Sequence, residues 1–248
     1  WPNTRAARSC AASVTSRALP PIRFAETRDG AVAYLELGSG EKTIVVLFGL
    51  WSHLEVAWEE LRIRAILDRL AERCRVVLID RRGTGLSERL AVPQLTSSGV
   101  EDLDAVRRAL GVDRIWLFGN AVGGMIAIDY AATHGAHVEG LLLYGVGARG
   151  AAAPDYPWAA TAQQLDKWLA EMHRGWGSAV ALDHYAPSCA GDAEVQQSWA
   201  RMMRQSASKH SMPLLLKAYS RMDVRPQLPL VRAPTLVVQR EGDRIVRA

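Results

Sequence analysis

Short, unbroken apolar runs separated by amphipathic stretches constrain this chain more than any other feature. Residues 43–48, 75–79, 114–118 and 140–144 are such runs. A strand that faces water on one side alternates polar and apolar residues, whereas one covered on both faces does not. Between the runs lie segments of helical period. In 61–73, Leu61, Ile63, Ala65, Ile66, Leu67, Leu70 and Ala71 sit among charges, which predicts a helix with one buried stripe. Residues 100–110 and 122–134 read as further helices, the first started by the polar 97–99 segment. Strands alternating with helices predict an α/β fold, a mostly parallel central sheet with helices on both faces. Ahead of it, 22–27 and 31–37 flank Arg28-Asp29-Gly30 and read as a hairpin.

The pattern changes after Gly150. Residues 151–226 hold helical stretches, no clear buried strand, and four tryptophans, Trp158, Trp168, Trp176 and Trp199. They are expected to form a helical cap over the carboxyl ends of the strands, where open α/β sheets bind ligands. Ordinary helix packing is the competing explanation. Sheet character returns at 235–239. The expected organisation is a leader or linker at 1–20, a core of 21–150 with 227–248, and a cap of 151–226. The sheet is expected to be incomplete at its C-terminal end.

The net charge of +4 is small and its arginines are scattered, which argues against a nucleic-acid partner. No apolar run approaches the roughly 18 residues of a membrane span. Cys10, Cys74 and Cys189 are widely separated and form no CxxC pair, so neither a disulfide framework nor a zinc site is expected. A reducing, cytoplasmic setting follows, and no metal or organic cofactor is implied.

The chemistry-bearing motif is Gly119-Asn120-Ala121-Val122-Gly123-Gly124, between a strand ending at Phe118 and a helix beginning near Val122. This is the context of a nucleophile elbow, G-x-S-x-G, with alanine at the central position. A phosphate loop would need a Lys-Ser/Thr ending or G-x-G-x-x-G spacing, and neither is present. Close helix–sheet packing alone is the remaining alternative.

A second motif, Asp80-Arg81-Arg82-Gly83-Thr84-Gly85-Leu86-Ser87, directly follows a buried strand. Together with Phe48-Gly49-Leu50-Trp51 and the elbow, in that order, it resembles the α/β-hydrolase fold family. Ser52-His53-Leu54-Glu55, Trp58-Glu59-Glu60, Asp155-Tyr156-Pro157-Trp158 and the stretch from Met222 to Pro229 are similar to hydrolase domains associated with bacterial class III adenylate/guanylate cyclases. The resemblance covers about residues 22–247. It implies that Ala121 stands at the nucleophile position, that the amides of Leu50 and Val122 stand at the oxyanion hole, and that Asp243 stands at the acid position. A helix-capping role is the alternative for Asp243. The family's histidine follows the acid on a later loop, and none of His53, His134, His137, His173, His184 or His210 lies there. His53 is expected to be a structural hydrogen-bonding group, and His173, His184 and His210 to be surface residues.

Three functions follow as expectations. One is a serine-type hydrolase of esters or similar small substrates, inactive with alanine at the elbow. Another is a module that senses an ester-like or apolar small molecule and regulates an adjoining domain such as a cyclase. The last is a structural fragment with an unpaired sheet edge. Trp51, Trp158 and Trp176 are candidate lining residues of an apolar pocket.

Overall fold

The computed structural model describes residues 18–90 and 95–246. Residues 1–17 of the expected leader lie outside the described residues. Strands β1 (Arg23–Thr27), β2 (Gly30–Leu37), β3 (Lys42–Leu47), β4 (Cys74–Ile79), β5 (Ile115–Asn120), β6 (Val138–Tyr144) and β7 (Thr235–Val238) form one sheet. Their order is β1-β2-β4-β3-β5-β6-β7. The β1–β2 hairpin and the β2–β4 pair are antiparallel, and every pairing from β4 to β7 is parallel.

Helices α1 (Leu54–Glu59) and α2 (Leu61–Ala71) cover one face, and α3 (Leu95–Ala109) and α4 (Val122–Thr133) cover the other. Alternate strand residues feed the two layers. Val45, Leu47, Val77 and Ile79 join a cluster with Leu103, Val106, Met125 and Ile126. Val46, Val76 and Leu78 join another with Leu54, Ala57, Trp58 and Leu67. This two-sided burial is why the strands read as continuous apolar runs. Each such aliphatic side chain contributes about 1.5–3 kcal/mol by leaving water. In α4 every residue from Val122 to Ala131 is buried, so the helix lies inside the molecule rather than on it.

One expectation is corrected. Residues 97–99 do not start the second helix, because α3 already begins at Leu95. Gly99 is an interior contact point. A Cβ there would lie 2.8 Å from the Ile126 side chain, so glycine is what lets α3 approach α4.

The connections from β3 and β5 leave toward opposite faces, the first into α1 and the second into α4. The carboxyl ends of these neighbouring strands therefore open a crevice, the place where α/β sheets hold ligands. Residues 151–226 add helices α5 (Ala162–Arg174), α6 (Leu182–Tyr185), α7 (Ala193–Ser206) and α8 (Ser211–Ser220), and contribute no strand to the sheet. A capping box of Thr161 with Gln164 starts α5, and the Asp192 carboxylate accepts from two amides to start α7. The α7 helix is fastened to the core. Arg201 pairs with Glu59, Ser198 Oγ donates to Glu60 at 3.1 Å, and Gly85 N donates to Ser206 O at 3.0 Å. Among the described residues, no helix is long and apolar enough to cross a membrane.

Candidate functional site

The elbow forms where β5 meets α4. Ala121 has φ 47° and ψ −117°, and Ala181 is the only other described non-glycine residue with positive φ. Such a conformation costs an L residue about 1–3 kcal/mol and persists only where its surroundings over-determine it. Here Ala121 N donates to Tyr144 O at 3.2 Å, and Ala121 O accepts from Gly124 N at 3.0 Å and Met125 N at 3.3 Å. The glycines supply the closeness. A Cβ on Gly119 would lie 2.4 Å from Gly124 Cα, one on Gly123 2.3 Å from Leu47 O, and one on Gly124 2.2 Å from Val146. Close helix–sheet packing and the elbow are thus one feature, not alternatives.

The loop after β3 faces this bend. A Cβ placed on Gly49 would sit 3.7 Å from the Ala121 methyl. Arg81 fixes the loop, its guanidinium donating to Gly49 O at 2.7 Å and Leu50 O at 3.2 Å. Burial pushes the Arg81 pKa down to about 10, which leaves it cationic at neutral pH. With those carbonyls turned to Arg81, the Leu50 amide has no acceptor among the described residues, and neither does the Val122 amide at the first turn of α4. Both residues line the same cavity as Ala121.

The rest of the 80–87 motif holds Arg81 in place. Asp80 Oδ2 accepts from Leu54 N at 3.1 Å and Leu86 N at 2.9 Å. Gly85 leaves room for that carboxylate, since a Cβ there would fall 1.9 Å from it. Ser87 Oγ donates to Asp80 O and accepts from Ala33 N. Burial raises the Asp80 pKa, against the pull of its two amide donors. The neighbouring Arg82 bonds Asp102 at 2.5 Å, Glu101 at 2.6 Å and Thr27 at 2.8 Å. The motif is a scaffold beneath the crevice and contributes no group to the cavity.

Asp243 sits beyond β7. Its Oδ1 accepts from Ile245 N at 2.8 Å and Val246 N at 2.9 Å, and its Oδ2 pairs with Arg240 at 3.1 Å. It therefore caps the turn that follows it. The same carboxylate also lies near the carboxyl end of β6, with Oδ2 3.9 Å from a Cβ placed on Gly145. Arg244, Ile245 and Val246 line the cavity, while Asp243 stays behind them.

Of the histidines, only His184 lines the cavity, and it is a surface residue as expected. It is exposed at the mouth, and its Nδ1 lies 3.1 Å from Asp183 Oδ1. Nothing in a helical stretch with regular polarity would have singled it out. His53 is buried, its Nδ1 has no partner among the described residues, and burial holds its pKa below the usual value. A hydrogen-bonding role for its side chain is therefore not carried by Nδ1. His134 stacks on Tyr130, and His137 reaches Asp113 O.

The cavity has a volume of about 920 Å³. The elbow and the 48–51 loop form its floor, and α5, α6 and α7 form its walls. Trp51 and Trp158 line it as expected, with Trp168, Trp199 and Tyr185. Trp176 does not; it packs edge-on behind Trp51 with ring centres 5.1 Å apart.

A protein family described as alpha/beta hydrolase fold matches residues 42–248. A 1-acylglycerol-3-phosphate O-acyltransferase of Arabidopsis thaliana is 34% identical over 125 residues, which is 47% of this chain and 27% of that protein. The chain thus spans about a quarter of the length of that relative. Among solved structures, a hydrolase from Pseudomonas aeruginosa superposes with a TM-score of 0.72 at 25% identity, covering 92% of this chain and 83% of that one. An esterase from Exiguobacterium antarcticum superposes with a TM-score of 0.71 at 22% identity, covering 86% and 79%.

Proposed function

The chain belongs to the alpha/beta hydrolase fold family, and on that premise we propose that it is a relative of serine esterases that binds a small ester-like or apolar molecule without cleaving it. One observation carries the reading: a methyl group stands at the tip of an elbow whose backbone, glycines and facing loop are all in place. Serine chemistry needs a hydroxyl there to attack the carbonyl and a base to take its proton. Ala121 supplies neither an attacking oxygen nor a transferable proton. The amides of Leu50 and Val122 keep their capacity to donate to a carbonyl oxygen, which is a binding function when no attack follows. Asp243 stands at the acid position, with its oxygens engaged by two amides and Arg240.

Loss of a triad nucleophile costs about 10⁶ in turnover in a well-studied protease. The purified protein is therefore expected to leave p-nitrophenyl butyrate uncleaved, while neutral esters and apolar acids raise its melting temperature, as any ligand of the folded state must. Turnover that scales with protein concentration would overturn the inactive reading. Absence of any thermal shift across the panel would overturn the binding reading.

A regulatory role for an adjoining cyclase is a second reading, favoured by the wording of residues 52–60 and 80–87. It predicts that ligands which stabilise this domain change cyclase activity in a polypeptide carrying both. A ligand that binds and leaves that activity unchanged sinks it.

A further inference from the structure

We propose that the occupant of the cavity is an amphipathic anion, an aromatic or bulky apolar body carrying a carboxylate. This deepens the binding reading above and rests on it.

The apolar half of the recognition comes from the aromatic wall. Tyr185 lies 4.9 Å from Trp199 and 6.5 Å from Trp168, ring centre to ring centre, and all three line the cavity with Trp51. Flat rings at such spacings accept another ring edge-on or offset.

The anionic half comes from charge. Cations outnumber acids among the lining residues: Arg62, Arg149, Lys167, Arg174 and Arg244 face only Glu60 and Glu171. Several of these cations are engaged. Arg149 lies 3.6 Å from Asp223, Arg62 lies 3.8 Å from Asp192, and Arg244 donates to Asp183 O. Lys167 and Arg174 have no ion-pair partner among the described residues. They stand on α5 at a spacing of seven, two turns apart, so they share one face with Gln164, Trp168 and Glu171. That face lines the cavity, while Met172 of the same helix is buried in the core. A helix that turns its cations and a tryptophan toward a cavity presents a mixed surface, apolar at depth and positive at the mouth.

The test uses calorimetric titration of the full chain with 4-phenylbutyrate and with its neutral counterpart 4-phenylbutanamide. The acid is expected to bind at least 10-fold more tightly. The preference should fall below about 3-fold in a Lys167→Gln, Arg174→Gln double variant, and should shrink in 0.5 M salt. Both side chains are exposed, so the variant's melting temperature should match that of the parent. Equal affinity for acid and amide overturns the anion assignment and leaves the binding reading standing. A preference that survives the double substitution overturns the role of α5. If neither compound binds while neutral esters still raise the melting temperature, this proposal alone falls. If nothing binds, both fall.

Discussion

Ala121 holds a positive φ that glycine adopts without strain. Ala121→Gly should therefore stabilise the fold by up to about 1 kcal/mol, the relieved strain of 1–3 kcal/mol being partly offset by the freer unfolded chain. Thermal denaturation reads this directly, and a fall in melting temperature would mean that the bend is not strained. Gly123→Ala should act in the opposite sense. Its new methyl would sit 2.3 Å from Leu47 O, a backbone atom that cannot swing away. A loss of about 1–3 kcal/mol or more is expected by denaturant titration. The residue scale is where the sequence was most informative, because glycine spacing and a strand–turn–helix context leave few other backbone solutions. Of the two roles weighed for Asp243, the capping role is the one its hydrogen bonds display. A carboxylate beyond the last parallel strand can bond the amides that follow it and still lie near the end of the neighbouring strand.

At the scale of elements, the 80–87 segment and the 48–51 loop act as a unit joined by Arg81. Arg81→Met removes the donor to two inward carbonyls, which should cost about 2 kcal/mol or more. It should also weaken ligand binding at least 10-fold, because the Leu50 amide is aimed only while its loop is clamped. Stability lost with affinity intact, by denaturation and calorimetry on the same preparation, would refute that coupling. The strands were readable because burial on both faces writes itself as an unbroken apolar run. The helices of 151–226 were readable as helices, but their placement was not. An amphipathic stripe reports that one face is covered and says nothing about what covers it. Trp158 and Trp176 look alike in sequence, yet the first lines the cavity and the second props Trp51 from behind. The start of α3 was misread because polar Ser97-Ser98-Gly99 looks like a cap, whereas Gly99 serves contact with α4.

For the molecule as a whole, acid stability should depend on the Arg82 node. Its hydrogen bond holds the Glu101 carboxyl below the usual carboxylate range. A carboxyl depressed in the folded state contributes stability above its unfolded value of about 4.3, and the contribution fades as pH falls through the lower folded value. Glu101→Gln should flatten the loss of stability between about pH 5 and pH 3. An unchanged slope would show that other carboxylates govern it. Among the described residues β7 stands at one edge of the sheet, with Leu236 and Val237 57% and 62% accessible.

The aromatic wall also makes the molecule its own optical indicator. Four of the eight tryptophans, Trp51, Trp158, Trp168 and Trp199, border one chamber. A guest entering it changes the surroundings of the indoles it meets, so intrinsic emission should shift in wavelength and intensity with occupancy. Unlabelled compound libraries can then be screened by ultraviolet fluorescence alone, before anyone knows what the natural guest is.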